Sequence, residues 1–465
     1  MGKPKEISEN ISQINHVNSS VDAEPLFEKI SRRDFSTFIP SLLVSLMLPF
    51  EGAKSEDKLK VVWSGLGFME KCNDDCKNLD LAFPNTRKIL QDGTKSPKVW
   101  KSITSKFESV NKAQPIEVII PTGAIADVGQ PDVGMSLVIT SEADIASQYY
   151  AKDDVTLLVY EIQCYGIVFD FKSFRVMNSF PVRLWRADKI SGKKDVNSLT
   201  TLFFSALSGQ GINDRTTLPN IFGDKLKNIN FRKTDPISIR VTEVDVRKMM
   251  DKWIVGKGKT VNEMKSLAGN SLTSAISETV NIGIQPFSVN QYHKELAVTL
   301  NTSGADSGVY QNWNFRDPDL DIRLVLRGVK LKVKKTNKKF FNKYRITIGV
   351  EIIVAKYKYE TTTNSGIEEV KKTLIESILK QKLRAISIEE STDQWRNDWY
   401  WVLDLHHALF EWFFTSIMDP TKIPGMTKGQ QRKGKTRKFF FQVYSKDKNI
   451  FQKEASQLNE KLLLN

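Results

Sequence analysis

Val155-Thr156-Leu157-Leu158-Val159-Tyr160-Glu161-Ile162 runs on through Gly166 into Ile167-Val168-Phe169, and Phe171 to Trp185 continues in β-branched and aromatic residues. Such side chains lose rotamer freedom in a helix and pack well on a pleated surface, so the stretch predicts a long hairpin or meander. The run is nearly apolar on both faces, which predicts at least one central strand. On its C-terminal side, residues 195–208 suit a short helix, and Gly209 to Asp214 is rich in turn residues. Ile237 to Val246 then alternates apolar and polar residues, the period of a half-buried strand, and starts a second unit.

Thr260 to Thr279 places Val261, Met264, Leu267, Ala268, Leu272, Ala275 and Ile276 at helical spacing, predicting a helix with one face for a sheet. Leu320 to Val333 and Tyr344 to Tyr359 predict two further strands, joined by the basic turn Lys334-Lys335-Thr336-Asn337-Lys338-Lys339. Towards the N-terminus, Leu59 to Trp63 predicts a first strand and residues 86–112 have helical character. Helices are expected at Ile367 to Ala385 and at Asp393 to Ile417, with a last strand from Phe439 through Tyr444. The expected fold class is therefore α/β (α+β), two tandem sheet-plus-helix domains with a helical C-terminal region.

The expected division is a disordered lead at 1–30, a signal segment at 31–55, a first α/β domain at 56–234, a second at 235–364, and a helical extension at 365–465 that carries a basic tail segment. The repeated order of strand, helix and paired strands resembles the α/β domains of periplasmic assembly proteins of the curli-secretion type and of penicillin-binding-protein activators. That resemblance implies a non-catalytic role in building or coupling envelope structures.

Arg32 and Arg33, with Phe35, precede the short apolar run Phe38 to Phe50. This order of charged and apolar regions resembles a bacterial twin-arginine export signal, with Ser36 and Thr37 where that pattern usually has a hydrophobic residue and a lysine. The resemblance implies a periplasmic or exported protein. The other reading of the segment is a structural N-terminal helix in a cytoplasmic protein.

Lys and Arg outnumber Asp and Glu by 68 to 54, a net charge of +14, which favours polyanionic surroundings. The strongest basic cluster in the linear sequence is Lys428, Arg432, Lys433, Lys435, Arg437 and Lys438, followed by three phenylalanines; it is the candidate polyanion-binding segment. Trp395, Trp399, Phe410 and Phe413 recur at helical spacing and form a broad aromatic face, to be covered either by the chain's own domain or by a partner. Cys72 and Cys76 are close enough in sequence for a disulfide, a share in a metal site, or no link at all, whereas Cys164 sits in an apolar strand and reads as a buried hydrophobe.

Signatures of catalysis are missing from the linear sequence. The four histidines, His16, His293, His406 and His407, do not carry metal-ligand spacing, and there is no phosphate-binding loop, Gly-x-Ser-x-Gly elbow or dinucleotide fingerprint. Of the adjacent pair, one histidine is expected to pack and one to be exposed. Asp317, Asp319 and Asp321 read as a solvated strand edge. The expectation is a non-catalytic, exported binding or assembly protein without a cofactor, its partner an envelope protein or an anionic envelope polymer. The competing expectation is a cytoplasmic nucleic-acid-binding protein.

Overall fold

The structure, a computed structural model, describes residues 58–70, 72, 76–121, 133–173, 175–210, 217–229, 237–280, 283–289, 297–301, 310–314, 317–335, 342–364, 367–391, 398–419, 430–431, 438–443 and 448–463. The lead and the twin-arginine-like segment with Arg32, Arg33 and Phe35 lie outside them. In chain order the elements are β1 (Leu59–Phe68), α1 (Lys77–Ala82), α2 (Pro84–Gln91), α3 (Ser96–Thr104), α4 (Phe107–Ala113), β2 (Ile116–Ile119), β3 (Val133–Tyr150), β4 (Val155–Asp170) and β5 (Val176–Ser191). They continue with α5 (Val196–Ser208), α6 (Leu218–Lys227), β6 (Ser238–Val246), α7 (Lys248–Val255), α8 (Val261–Val280), β7 (Gly283–Gln285), β8 (Ala297–Asn301), β9 (Tyr310–Asn314) and β10 (Leu320–Lys335). The last are β11 (Asn342–Asn364), β12 (Ile367–Ser391), α9 (Asp398–Met418), β13 (Gln430–Gln431), β14 (Lys438–Val443) and α10 (Lys448–Leu463).

The fold is α/β, with two mixed sheets among the described residues. The first runs β5-β4-β3-β1-β8-β9 with β2 beside β1, and the second runs β13-β14-β12-β11-β10-β6-β7. The meander expected from Val155 onward is β4 and β5, and β4 is central and buried on both faces. Its even-numbered side chains face α5 and α6: Tyr160 packs 5.2 Å from Phe203, and Gly166 leaves room for the Phe180 ring, which stacks on Phe222. A β-carbon at Gly166 would sit 2.1 Å from that ring. The odd-numbered side chains, Glu161, Gln163 and Tyr165, face α8 and α9; the Tyr165 hydroxyl donates to the Asn270 carbonyl at 3.0 Å and meets Ser274 Oγ at 2.9 Å.

Local chemistry starts the helices where the sequence predicts them. Asp195 accepts from the Ser198 amide at 2.6 Å to cap α5, and Gly209 ends it in the left-handed conformation at φ 71°. Thr260 and Glu263 form a capping box at the start of α8, each side chain bonded to the other's amide at 3.1 and 2.7 Å. The long helices α8 and α9 pack together between the sheets. Tyr400 of α9 meets Trp185 of the first sheet at 5.1 Å, and Trp401 meets Tyr344 of the second at 5.3 Å.

Three expectations are corrected. Ile367 to Ala385 is not a helix but part of the 25-residue strand β12. Its Lys, Glu and Leu residues favour helix as an isolated segment. In the folded chain β12 pairs along its whole length with β11, and Leu379, Gln381, Leu383 and Ala385 alternate inward at period two, so tertiary pairing overrides local propensity. The domain boundaries also move: β8 and β9, from the expected second domain, pair into the first sheet, while β12, β13 and β14, from the expected helical extension, belong to the second.

The aromatic face is the third. Trp399, Phe410 and Phe413 are buried within the chain, with Trp399 stacked 5.6 Å from Trp253 and Phe413 6.1 Å from Phe451. The chain's own apolar residues cover it, so these three are no partner face; Trp395 lies outside the described residues. No helix among the described residues is long and apolar enough to cross a membrane.

Candidate anion-binding face

The second sheet is apolar on its inner side and basic on its outer side. Inward, Tyr344, Ile346, Ile348, Val350, Ile352 and Val354 of β11 are fully buried. Outward, the register aligns Arg323–Ile353–Lys380, Val325–Glu351–Lys382, Gly328–Gly349–Arg384, Lys330–Thr347–Ile386 and Lys332–Arg345–Ile388 across β10, β11 and β12. Neighbouring strands are about 4.8 Å apart and alternate residues along one about 6.8 Å, so these cations form a two-dimensional array.

A bulge between Leu326 and Gly328 interrupts the array and turns out Arg327. In the next register position Gly328 faces Gly349, so neither strand places a side chain over the backbone there. The result is an open groove of about 530 Å³ walled by Arg327, Lys330, Lys382, Arg384 and Thr347, with Met249 lying over Gly328 and the floor open at Gly349. Glu351 holds the cations upright: its carboxylate, 8% exposed, accepts from Arg327 at 3.1 Å and lies 3.9 Å from Lys380. Glu243 and Asp245 of β6 pair with Arg323 at the end of the array. The lining of the groove itself carries Arg327, Lys330, Lys382 and Arg384 and, among the described residues, no carboxylate, which leaves the groove positive.

Further along the same face, Asp321 is buried, correcting the solvated edge expected there. It accepts from the Tyr359 hydroxyl and sits 3.7 Å from Lys372. Burial pushes the Asp321 carboxyl up and the Lys372 ammonium down, and Lys372 lies 3.9 Å above the Tyr357 ring. Asp319 pairs with Arg175 at 2.7 Å and accepts the Ser238 amide at 2.8 Å, tying the start of β10 to β6 and to the first sheet.

Of the basic tail, Lys428, Arg432, Lys433, Lys435 and Arg437 lie outside the described residues. Lys438 opens β14, whose backbone pairs with Ile388, one strand beyond the Lys332–Arg345 register position. Sequence reasoning missed the groove because its cations are not consecutive. The signal lay in the period-two basic residues Lys380, Lys382 and Arg384 and Lys330 and Lys332, with Arg327 brought to the same face by the bulge, and the helical reading of residues 380–384 hid it.

A polar seam lies on the opposite side of the α8 and α9 layer. Glu161, fully buried, is bonded to Arg183 and accepts from Gln163 at 2.7 Å. Glu161 Oε2 and Gln163 Oε1 find no hydrogen-bond partner among the described residues, and beside them a cavity of about 10 Å³ has room for one water molecule. His406 borders this cavity, donates from Nδ1–H to the Val402 carbonyl at 2.8 Å, and is held down to about 4 by burial. Of the pair expected to divide into one packed and one exposed histidine, His406 is buried and the neighbouring His407 is 19% exposed. Cys72 and Cys76 are joined in a disulfide with their Cα atoms 4.5 Å apart, and Cys164 is a buried free thiol.

No family model matches the chain, and no curated protein matches it. Among solved structures it is similar to a crystal structure described as a neuraminyllactose-binding hemagglutinin homolog from Helicobacter pylori, at 8% identity and a TM-score of 0.22, over 37% of this chain and 84% of that one. An overlap that slight carries no weight for fold or function.

Proposed function

We propose that the chain is a non-catalytic binding protein for a linear anionic polymer, which it holds along the outer face of its second sheet. The observation that carries this reading is the glycine-floored groove walled by Arg327, Lys330, Lys382 and Arg384. Repeating anions on a flexible polymer match a two-dimensional array of cations better than they match a single deep pocket. Binding of this kind weakens steeply with salt, because each neutralised anion releases counterions.

The test is fluorescence anisotropy of the full chain with labelled polyphosphate, polygalacturonate and random single-stranded DNA, each from 50 to 300 mM salt. Binding of at least one probe with a log–log salt slope of about −3 or steeper supports the reading. Absence of binding to all three at 50 mM salt ends it. Gly349→Leu gives a finer prediction: a β-carbon there meets nothing closer than 3.7 Å, so the variant folds, fills the floor and binds at least tenfold more weakly.

The proposal extends to an exported, periplasmic protein acting on an envelope polymer. The Arg32–Arg33 segment and the Cys72–Cys76 disulfide support it, since such bridges persist in oxidising compartments. Arg32→Lys with Arg33→Lys is expected to abolish periplasmic accumulation in a fractionated bacterial host. Equal cytoplasmic retention of parent and variant would instead favour the cytoplasmic nucleic-acid reading, which preferential binding of the DNA probe would also favour.

A further inference from the structure

We propose that Glu278, His407 and Glu411 form a binding site for a divalent transition-metal ion, with Zn²⁺ the first choice, that ties α8 to α9. Each of the three side chains offers one ligand atom, and those atoms all lie within 4.8 Å of one another, close enough for small side-chain rotations to bring them onto one ion. His407 and Glu411 are one helical turn apart on α9, with Nε2 and the carboxylate oxygen 3.1 Å apart, near the edge length of a tetrahedral coordination shell around Zn²⁺. Glu278 comes from the last turn of α8, so the ligands bridge two elements that sit between the two sheets.

Two carboxylates face the His407 ring, against the positive charges of Lys225 beside Glu278 and of Arg183, whose field reaches the ring. An imidazole Nε2–H is satisfied by one carboxylate, yet two converge on it. On its other side, His407 Nδ1 lies 3.1 Å from Ser271 Oγ. With Nδ1–H donated to that hydroxyl, the Nε2 lone pair faces the two carboxylates, the tautomer a metal requires. One imidazole and two carboxylates are a borderline-hard donor set that takes Zn²⁺ or Mn²⁺ and leaves coordination positions for water. Glu278, His407 and Glu411 are 35%, 19% and 26% exposed, enough to admit an ion and its waters from one side. Lys225, 3.0 Å from Glu278, is the group an arriving cation displaces.

The test uses the full chain, chelated and desalted, titrated calorimetrically with ZnCl₂ and with MnCl₂, alongside thermal unfolding with and without each salt. One Zn²⁺ per chain, with a higher Tm, is the expected result. His407→Ala and Glu278→Gln each weaken binding at least tenfold, Ser271→Ala weakens it about tenfold through loss of the orienting hydroxyl, and Lys225→Met strengthens it. Glu278 is partly exposed, so its variant keeps the test open if the His407 variant does not fold. No saturable heat and no change in Tm would overturn the proposal, as would Zn²⁺ binding left intact in both ligand variants.

Discussion

Replacing Arg327, Lys330, Lys332, Lys382 and Arg384 together with Gln is expected to lower affinity for a linear polyanion on the order of 10³-fold at physiological salt, and to flatten the salt dependence by about four units of slope. The estimate follows from five lost anion contacts, each contributing about 0.7–0.9 to the slope. Four of the five are the cationic walls of the groove and Lys332 lies in the next position of the array. None of the five is buried, so four of the changes should alter stability little, whereas Arg327→Gln leaves the 8%-exposed Glu351 carboxylate with Lys380 at 3.9 Å and carries a modest cost. A matched set of Gln substitutions at Lys88, Lys98, Lys101, Lys112 and Lys152, away from this sheet, controls for net charge. Equal loss in both sets would mean that overall charge, not this face, holds the polymer.

The second large effect concerns the seam between β4, β5 and α9. Arg183→Met is expected to destabilise the fold by about 3–5 kcal/mol, because it strands Glu161, which has no solvent exposure, without its cation. Glu161→Gln should cost less, since Arg183 is 26% exposed and keeps its contact over the Trp185 ring at 4.9 Å. Glu161→Leu combined with Arg183→Met removes both charges and should recover a large part of the loss. Urea denaturation of the four proteins gives the comparison. An Arg183 variant as stable as the parent would mean that the pair is not closed in the folded protein.

The difference between what the sequence disclosed and what it hid is physical. β4 and β5 were legible because both faces of β4 are buried, so apolar and β-branched residues follow one another without interruption. The helix α8 was legible because Val261, Met264, Leu267, Leu272 and Ile276 repeat at the spacing of one helical face, a pattern contained within the segment itself. β12 was not, because its charged residues, among them the exposed Lys371, Glu376, Lys380 and Lys382, match the composition of a charged helix, and only pairing with β11 selects the strand. The candidate sites were hidden for the same reason. The groove needs Gly328 opposite Gly349 and Lys382 beside Glu351, and the proposed metal site needs Glu278 beside His407, 129 positions later in the chain. Local pattern carries no information about such meetings.

The return of the β8–β9 hairpin to β1 governs how the protein can be made and divided. β1 is flanked by β3 on one edge, and on the other by β2 at Leu59–Val62 and β8 at Leu66–Phe68. During synthesis, the edge at Leu66–Phe68 therefore waits, with its amides and carbonyls open to stray strands, until some 230 further residues have left the ribosome. A cut near residue 235 frees no self-sufficient half. The first piece is left with a sticky edge, and the second with a hairpin that has no sheet to join.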